Sequence, residues 1–217
     1  MKKKYGFYVS GKATRLFQII EKCPEIIENT FIVVNDGEYN SALSNFFRKK
    51  NITYLQVNYK NVTKKERNQY ISDILLEEFQ FHKLDFVFCF GARLLKGNVL
   101  KVFKNRIVNF HPSILPMYPG EKSIDKAIND DAFLVGNTAH FIDAGIDTGP
   151  VIIQNIIKYQ KTLSYEDILS QQIPMIYQIY CWLNQDRISV TNNKTIIKDC
   201  TTNSTFFPSL EVNITKH

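Results

Sequence analysis

The sequence is poor in the features that mark metal sites, secretion and membranes. Its 217 residues include four cysteines, and Cys23, Cys89, Cys181 and Cys200 stand far apart with no metal-ligand spacing. Cys89 sits in an apolar run and Cys23 follows a helical pattern, so buried thiols in a reducing cytosol are the expectation. The apolar stretch after Lys2–Lys4 ends at Ser10, too short for a signal h-region, and no later run approaches a membrane span. No dense block of one charge occurs either. The net charge is +6 with pI near 9.0, but beyond Lys2–Lys4 and the pair Lys49, Lys50 the basic residues are scattered. That excludes a polybasic arm, and it points to phosphorylated small molecules rather than nucleic acid or a membrane surface. Internal repeats and low-complexity linkers are absent too. The expectation is a cytoplasmic protein with one catalytic domain, residues 1–185, and a short C-terminal extension, residues 186–217.

What is present is a strict alternation. Tyr5–Ser10 reads as a strand ending in Ser10-Gly11, and Leu16, Ile19 and Ile20 recur at helical spacing. Thr30–Asn35 is a second strand, stopped by Asp36-Gly37. Helical spacing returns at Leu43, Phe46 and Phe47, and Ile52–Val57 alternates as a third strand. Ile71, Ile74, Leu75 and Phe79 line one face of an amphipathic helix. Asp85–Phe90 is a continuous apolar run bounded by Gly91, as in a strand buried on both faces. Further strands are expected at Arg106–Phe110, Asn137–Ile142 and Val151–Ile157, with a short helix at Ser123–Ile128. Ser164 to Asp167 resembles a capping box opening a helix to about Leu183, which Pro174 kinks or splits. Strands alternating with helices imply right-handed crossovers. The fold class is α/β, a Rossmann-like open twisted sheet, mostly parallel, with flanking helices.

In such a sheet ligands bind at the carboxyl ends of the strands. Asn109 and His111 lie at the end of the fifth strand, His140 on the sixth, and Asp143 and Asp147 in the Gly-rich loop that follows. An amide donor, an imidazole and a carboxylate suit transfer of an acyl group to an amine. Attack on the carbonyl creates an oxyanion, which a protonated imidazole and an amide N–H hold better than the neutral carbonyl. A carboxylate orients the imidazole and helps move the proton that leaves the amine. A covalent nucleophile is not needed, and Ser113 lacks the setting of one. Taken singly, each residue has a plain structural role: a hydrogen-bonding histidine, or an aspartate shaping a turn.

From about Phe86 to Trp182 the chain resembles the folate-dependent formyltransferases. Asn109-Phe-His111-Pro-Ser113-Ile-Leu115-Pro-Met-Tyr118-Pro-Gly120 is similar to that family's first motif, and Thr138-Ala-His140-Phe and Asp147-Thr-Gly149-Pro150 to its later ones. The resemblance implies Asn109, His111 and Asp147 as the catalytic set and 10-formyltetrahydrofolate as donor. It implies that Arg93, Leu94 and Leu95, with His140 and the loop from Asp143 to Asp147, receive the folate. It also places acceptor binding in the loop after the first strand, at Gly11, Lys12, Thr14 and Arg15.

Two departures bear on the acceptor. The phosphate loop of the glycinamide ribonucleotide enzymes, Ser-Gly-x-Gly-Ser-Asn, here reads Ser10-Gly11-Lys12-Ala13-Thr14-Arg15. The acid that meets the glycinamide amine would fall near Gln172 or Ile173, where none stands. The segment Ser204 to Leu210 is similar to an aromatic-aromatic-Pro stretch of sugar N-formyltransferases. The expectation is a phosphorylated amine acceptor, first the amino group of a nucleotide-linked amino sugar and next phosphoribosylglycinamide. A homodimer is compatible with this reading. A formyltetrahydrofolate hydrolase would use the same three residues on water, usually with an added N-terminal domain. A methionyl-tRNA acceptor would call for a second, RNA-binding domain.

Overall fold

The computed structural model describes residues 2–201 and 205–212. The chain forms two compact units, Met1–Val108 and Asn109–His217. Its strands belong to an eight-stranded, mostly parallel sheet and a separate two-stranded one.

The first unit is built from β1 (Tyr5–Val9), α1 (Thr14–Lys22), α2 (Pro24–Glu28), β2 (Thr30–Asn35), α3 (Ser41–Lys49), β3 (Thr53–Gln56), α4 (Arg67–Phe81), β4 (Phe86–Phe90) and α5 (Asn98–Val102). β1 pairs in parallel with β2 and β4, and β2 with β3, giving the order β4-β1-β2-β3. The β1 residues are buried throughout, and across the β1–β4 pair Phe88 stacks on Tyr5 and meets Phe7 at a tilt. Such a run must be covered on both faces, and each buried aromatic contributes about 2 kcal/mol. On α4 the residues Ile71, Leu75 and Phe79 are buried, the stripe expected from their spacing. The short helices α2 and α5 do not stand out in the sequence, because five residues are too few to show a period.

β5 (Ile107–His111) begins with the last two residues of the first unit and continues into the second, which goes on with α6 (Ser123–Asn129), β6 (Leu134–Phe141), β7 (Val151–Lys158), α7 (Tyr165–Ser170), α8 (Gln172–Asn184), β8 (Ile188–Thr191), β9 (Lys194–Ile197) and β10 (Phe206–Phe207). The order is β10-β7-β6-β5, and both β6–β7 and β7–β10 are antiparallel. β8 and β9 form the separate hairpin.

One strand bound differs from expectation, and two expected features take definite form. His111 is the last residue of β5 rather than a residue beyond it, which buries its backbone in the sheet. The late helix divides at Gln171, so Pro174 sits in the first turn of α8, where its missing N–H is harmless. The Ser164 capping box is complete: the Ser164 side chain caps Asp167 N, and the Asp167 carboxylate returns to Ser164 N. Cys23 and Cys89 are buried as expected, but Cys200 is exposed. The extension's Phe206 and Phe207 add an antiparallel edge strand to β7, while Ser204 lies outside the described residues.

Candidate active site

The motif after β5 is held by a small set of buried polar groups. Ser113 Oγ donates to Met117 O at 2.6 Å, and Thr138 Oγ1 donates to Ser113 O at 2.7 Å while accepting from Leu115 N at 3.0 Å. Gln154 Nε2 reaches Leu115 O at 2.9 Å. Ser123 Oγ donates to Pro112 O at 3.0 Å. These bonds shape the Pro-rich turn, so the Ser113 hydroxyl is a structural donor, 3% exposed in the residue as a whole.

Four polar side chains converge beside that turn. Asp147 Oδ2 lies 3.3 Å from His111 Nδ1 and accepts the Gly120 N–H at 2.7 Å. Its other oxygen, Oδ1, lies 3.5 Å from His140 Nε2. Asn109 Nδ2 is 3.2 Å from the same His140 nitrogen, and His140 Nδ1 faces Phe141 O at 3.0 Å. His111 Nε2 faces Tyr118 O at 2.9 Å. Both nitrogens of His111 therefore face acceptors, and a doubly protonated ring satisfies both. His140 Nδ1 donates to the carbonyl, and Nε2 stands between two partners: it takes the Asn109 amide hydrogen in the neutral ring and donates to Asp147 Oδ1 in the protonated one.

Burial raises the Asp147 carboxyl pKa. The hydrogen bond from His140, the Gly120 N–H and the charges of the two imidazoles outweigh that effect, and the net shift is downward. Asp147 is thus held as a carboxylate in a partly enclosed place. Its backbone is left-handed, φ 53°, which turns the side chain back toward the end of β5. Beside His111 lies a cleft of 260 Å³ bordered by Gly120, Glu121, Lys122, Asp125 and Tyr165.

The second unit thus brings together Asn109, His111, His140 and Asp147. Asp143 stays out of that cluster: its carboxylate accepts from Gly145 N and Thr148 Oγ1, the turn-forming role. In the first unit, Leu95 is 3% exposed and packs in the core, whereas Leu94 is 39% exposed. The Arg93 guanidinium is drawn to Asp36, Nε to Oδ2 at 3.4 Å. Gly11 is left-handed at φ 58° and Ala13 at φ 52°. Lys12 and Thr14 border a cleft of 400 Å³ with Phe17, Glu38, Tyr39 and Asn40. Arg15 donates to Gln18 Oε1 at 2.7 Å. Among the described residues no cluster of metal-ligating side chains occurs. Sequence reasoning passed over Asp36, read only as a strand stop. The one available signal was its place at the carboxyl end of β2.

The formyl transferase family profile matches residues 3–174. The chain belongs to that folate-dependent family. A phosphoribosylglycinamide formyltransferase of Bacillus subtilis is 32% identical over 95 residues, 43% of this chain and 49% of the relative. A formyltetrahydrofolate deformylase of Haemophilus influenzae is 28% identical over 176 residues, 79% of this chain and 60% of the relative. The chain therefore spans roughly half to three fifths of these two relatives' lengths. The crystal structure of glycinamide ribonucleotide transformylase 1 from Symbiobacterium toebii superposes with a TM-score of 0.77 at 25% identity, covering 91% of this chain and 95% of that one.

Proposed function

We propose that this formyl transferase family member moves a formyl group from 10-formyltetrahydrofolate to a primary amine. The observation that carries the reading is the Asp147 carboxylate set between two imidazoles, one of which also meets the Asn109 amide. The folate supplies the activated formyl group. One Asn109 amide hydrogen is spent on His140, and the other is free to hold the formyl oxygen as it gains charge. His111 Nε2–H becomes a second donor by exchanging Tyr118 O for that oxygen, as resting sites often do on engaging substrate. Asp147 keeps His111 oriented through Nδ1 and offers the carboxylate by which the attacking amine's proton is passed to folate N10, as the formyl C–N10 bond breaks and tetrahydrofolate leaves. Of the donor-contact candidates, exposed Leu94 suits an apolar ring.

For the acceptor, the relatives named above support phosphoribosylglycinamide, ahead of the amino sugar expected from the altered loop, the missing acid and the aromatic-aromatic-Pro segment. A nucleotide-linked amino sugar remains as a second reading because of the cleft at Lys12 and Thr14. It joins a cation for phosphate to two exposed rings, Phe17 and Tyr39, that suit a base. The positions where an acid is wanted for glycinamide also favour it, since Gln172 and Ile173 are each 2% exposed and Gln172 Nε2 donates to Asn137. Residues 1–185 are read as the catalytic part and 186–217 as its extension. A cytoplasmic enzyme fits, and no helix among the described residues is long and apolar enough to cross a membrane.

The test is tetrahydrofolate release from 10-formyltetrahydrofolate with each acceptor. Turnover with phosphoribosylglycinamide supports the first acceptor, and turnover with an amino sugar alone replaces it with the second. Acceptor-independent formate release would make the chain a hydrolase and overturn amine transfer.

A further inference from the structure

In the first unit a second carboxylate gathers the loops at the carboxyl ends of the strands. The Asp36 side chain follows β2 and is 2% exposed. Its Oδ1 accepts the Ser10 hydroxyl, from the loop after β1. Its Oδ2 accepts Tyr8 OH at 3.1 Å, Tyr59 OH at 3.0 Å and Arg93 Nε at 3.4 Å. Ser10 Oγ, having given its proton to Asp36, accepts the Ala92 N–H at 2.9 Å. The Arg93 guanidinium also lies over the Tyr59 ring, 5.4 Å from its centroid. Gly37 completes the joint: a Cβ there would stand 2.2 Å from Gly11 N, so only glycine lets the two loops touch backbone to backbone.

Burying a carboxylate is costly unless it is paired and hydrogen-bonded, and three hydroxyls and one guanidinium meet that need here. The outcome is specific to two segments. Asp36 fixes Ser10, and with it the start of the Gly11–Lys12 loop. Through Ser10 and directly, it fixes Ala92 and Arg93. With Arg93 drawn back to Asp36 and Leu95 buried at 3%, Leu94 is the side chain this segment leaves exposed, at 39%.

We infer that Asp36 is a positioning residue: one carboxylate sets both the acceptor loop at Ser10–Lys12 and the donor segment at Ala92–Leu94. This rests on the functional reading above, which assigns those two segments to the two substrates. The Asp36 carboxylate is shielded and engaged by its own donors, so its loss acts through Ser10 and Arg93.

The experiment is steady-state kinetics of Asp36→Asn with each substrate varied, together with calorimetric binding of tetrahydrofolate and a thermal melt. Losing a buried charge-assisted contact that serves binding alone raises KM and spares kcat, so both KM values are expected to rise on the order of tenfold. Tetrahydrofolate should bind weaker by a similar factor. If Asp36→Asn does not fold, Ser10→Ala removes the arm that joins Asp36 to Ala92, and the same rise in both KM values is expected. Unchanged KM values with only a lowered melting temperature would make Asp36 a purely structural residue and overturn the inference. So would a fall in kcat at constant KM. Tetrahydrofolate binding without turnover in the natural chain would sink the functional reading instead, and weaker binding by Asp36→Asn would then still uphold the positioning role.

Discussion

His111 and Asp147 face each other with Nδ1 3.3 Å from Oδ2, although one closes a β-strand and the other sits in a left-handed turn at φ 53°. The same carboxylate accepts Gly120 N, so the turn after β5 and the loop after β6 are locked together at one side chain. That arrangement makes Asp147 the organising charge of the candidate site, and two of the expectations below follow from it.

Asp147→Asn keeps the size of the side chain and removes its charge. His111 then loses the anion that orients it, and the site loses its proton acceptor. Turnover is expected to fall by a factor on the order of 100 or more, mostly in kcat. His111→Ala should fall as far. Steady-state rates with saturating donor check this, and near-natural turnover in either variant would remove the residue from the mechanism.

Asp147 also predicts how stability responds to acid. A carboxyl whose folded pKa is depressed adds stability that is complete above its unfolded value and is lost as pH falls through the folded value. Here burial pushes upward but is outweighed by the His140 hydrogen bond, the Gly120 N–H and the imidazole charges, so the folded value lies below the ordinary one. The unfolded value is about 3.9. The extra stability of the natural chain over Asp147→Asn should therefore hold above about pH 5 and shrink below about pH 4. Urea unfolding at a series of pH values measures that gap. A gap that stays constant down to pH 3 would mean the carboxylate is not held in this way.

Much of this was legible in the residues and some was not. The strands at Thr30–Asn35 and Phe86–Phe90 announce themselves because largely buried runs leave a continuous apolar signature. Asn109, His111, His140 and Asp147 could be nominated because strand ends are where such a sheet binds ligands, and the motifs carry fixed spacing. The hydrogen bonding was not legible. Nothing in the sequence says that His111 Nε2 rests on Tyr118 O, or that Asp143 is spent on its own turn. Asp36 was hidden for the same reason. A single aspartate before a glycine reads as a turn, and its partners Tyr8, Tyr59 and Arg93 come from three other stretches of chain. The antiparallel edge at Phe206–Phe207 escapes too, since two residues make no pattern.

Gly149 tests how tightly the Asp147 loop is held. A Cβ built on Gly149 would lie 1.8 Å from Phe141 O, a backbone atom of the strand that carries His140. Neither partner can yield without moving the loop. Gly149→Ala is expected to cost about 2 kcal/mol or more in stability and to displace Asp147 from His111. Urea melts paired with turnover rates follow both effects. Natural stability and turnover in this variant would mean that the loop has room the structure denies.

Thiol chemistry reads out the first unit independently of any substrate. Burial pushes the Cys89 thiol up to about 12; the Gly91 N–H lowers it and the nearby Asp36 charge raises it again. A reactive thiol must be both ionised and accessible, and Cys89 is neither near neutral pH. Cys23 is buried as well, whereas Cys200 is exposed and Cys181 half-buried. A disulfide reagent at pH 8 should therefore label Cys200 promptly, Cys181 slowly, and Cys23 and Cys89 only once the chain is unfolded. Peptide mapping after timed labelling gives the order. Prompt labelling of Cys89 in the folded protein would contradict a closed β4 and, with it, the sealed setting in which Asp36 holds its donors. Cys89 labelling that accelerates in Asp36→Asn alone, with the other three thiols unchanged, would show instead that the carboxylate is what keeps that end of the sheet shut.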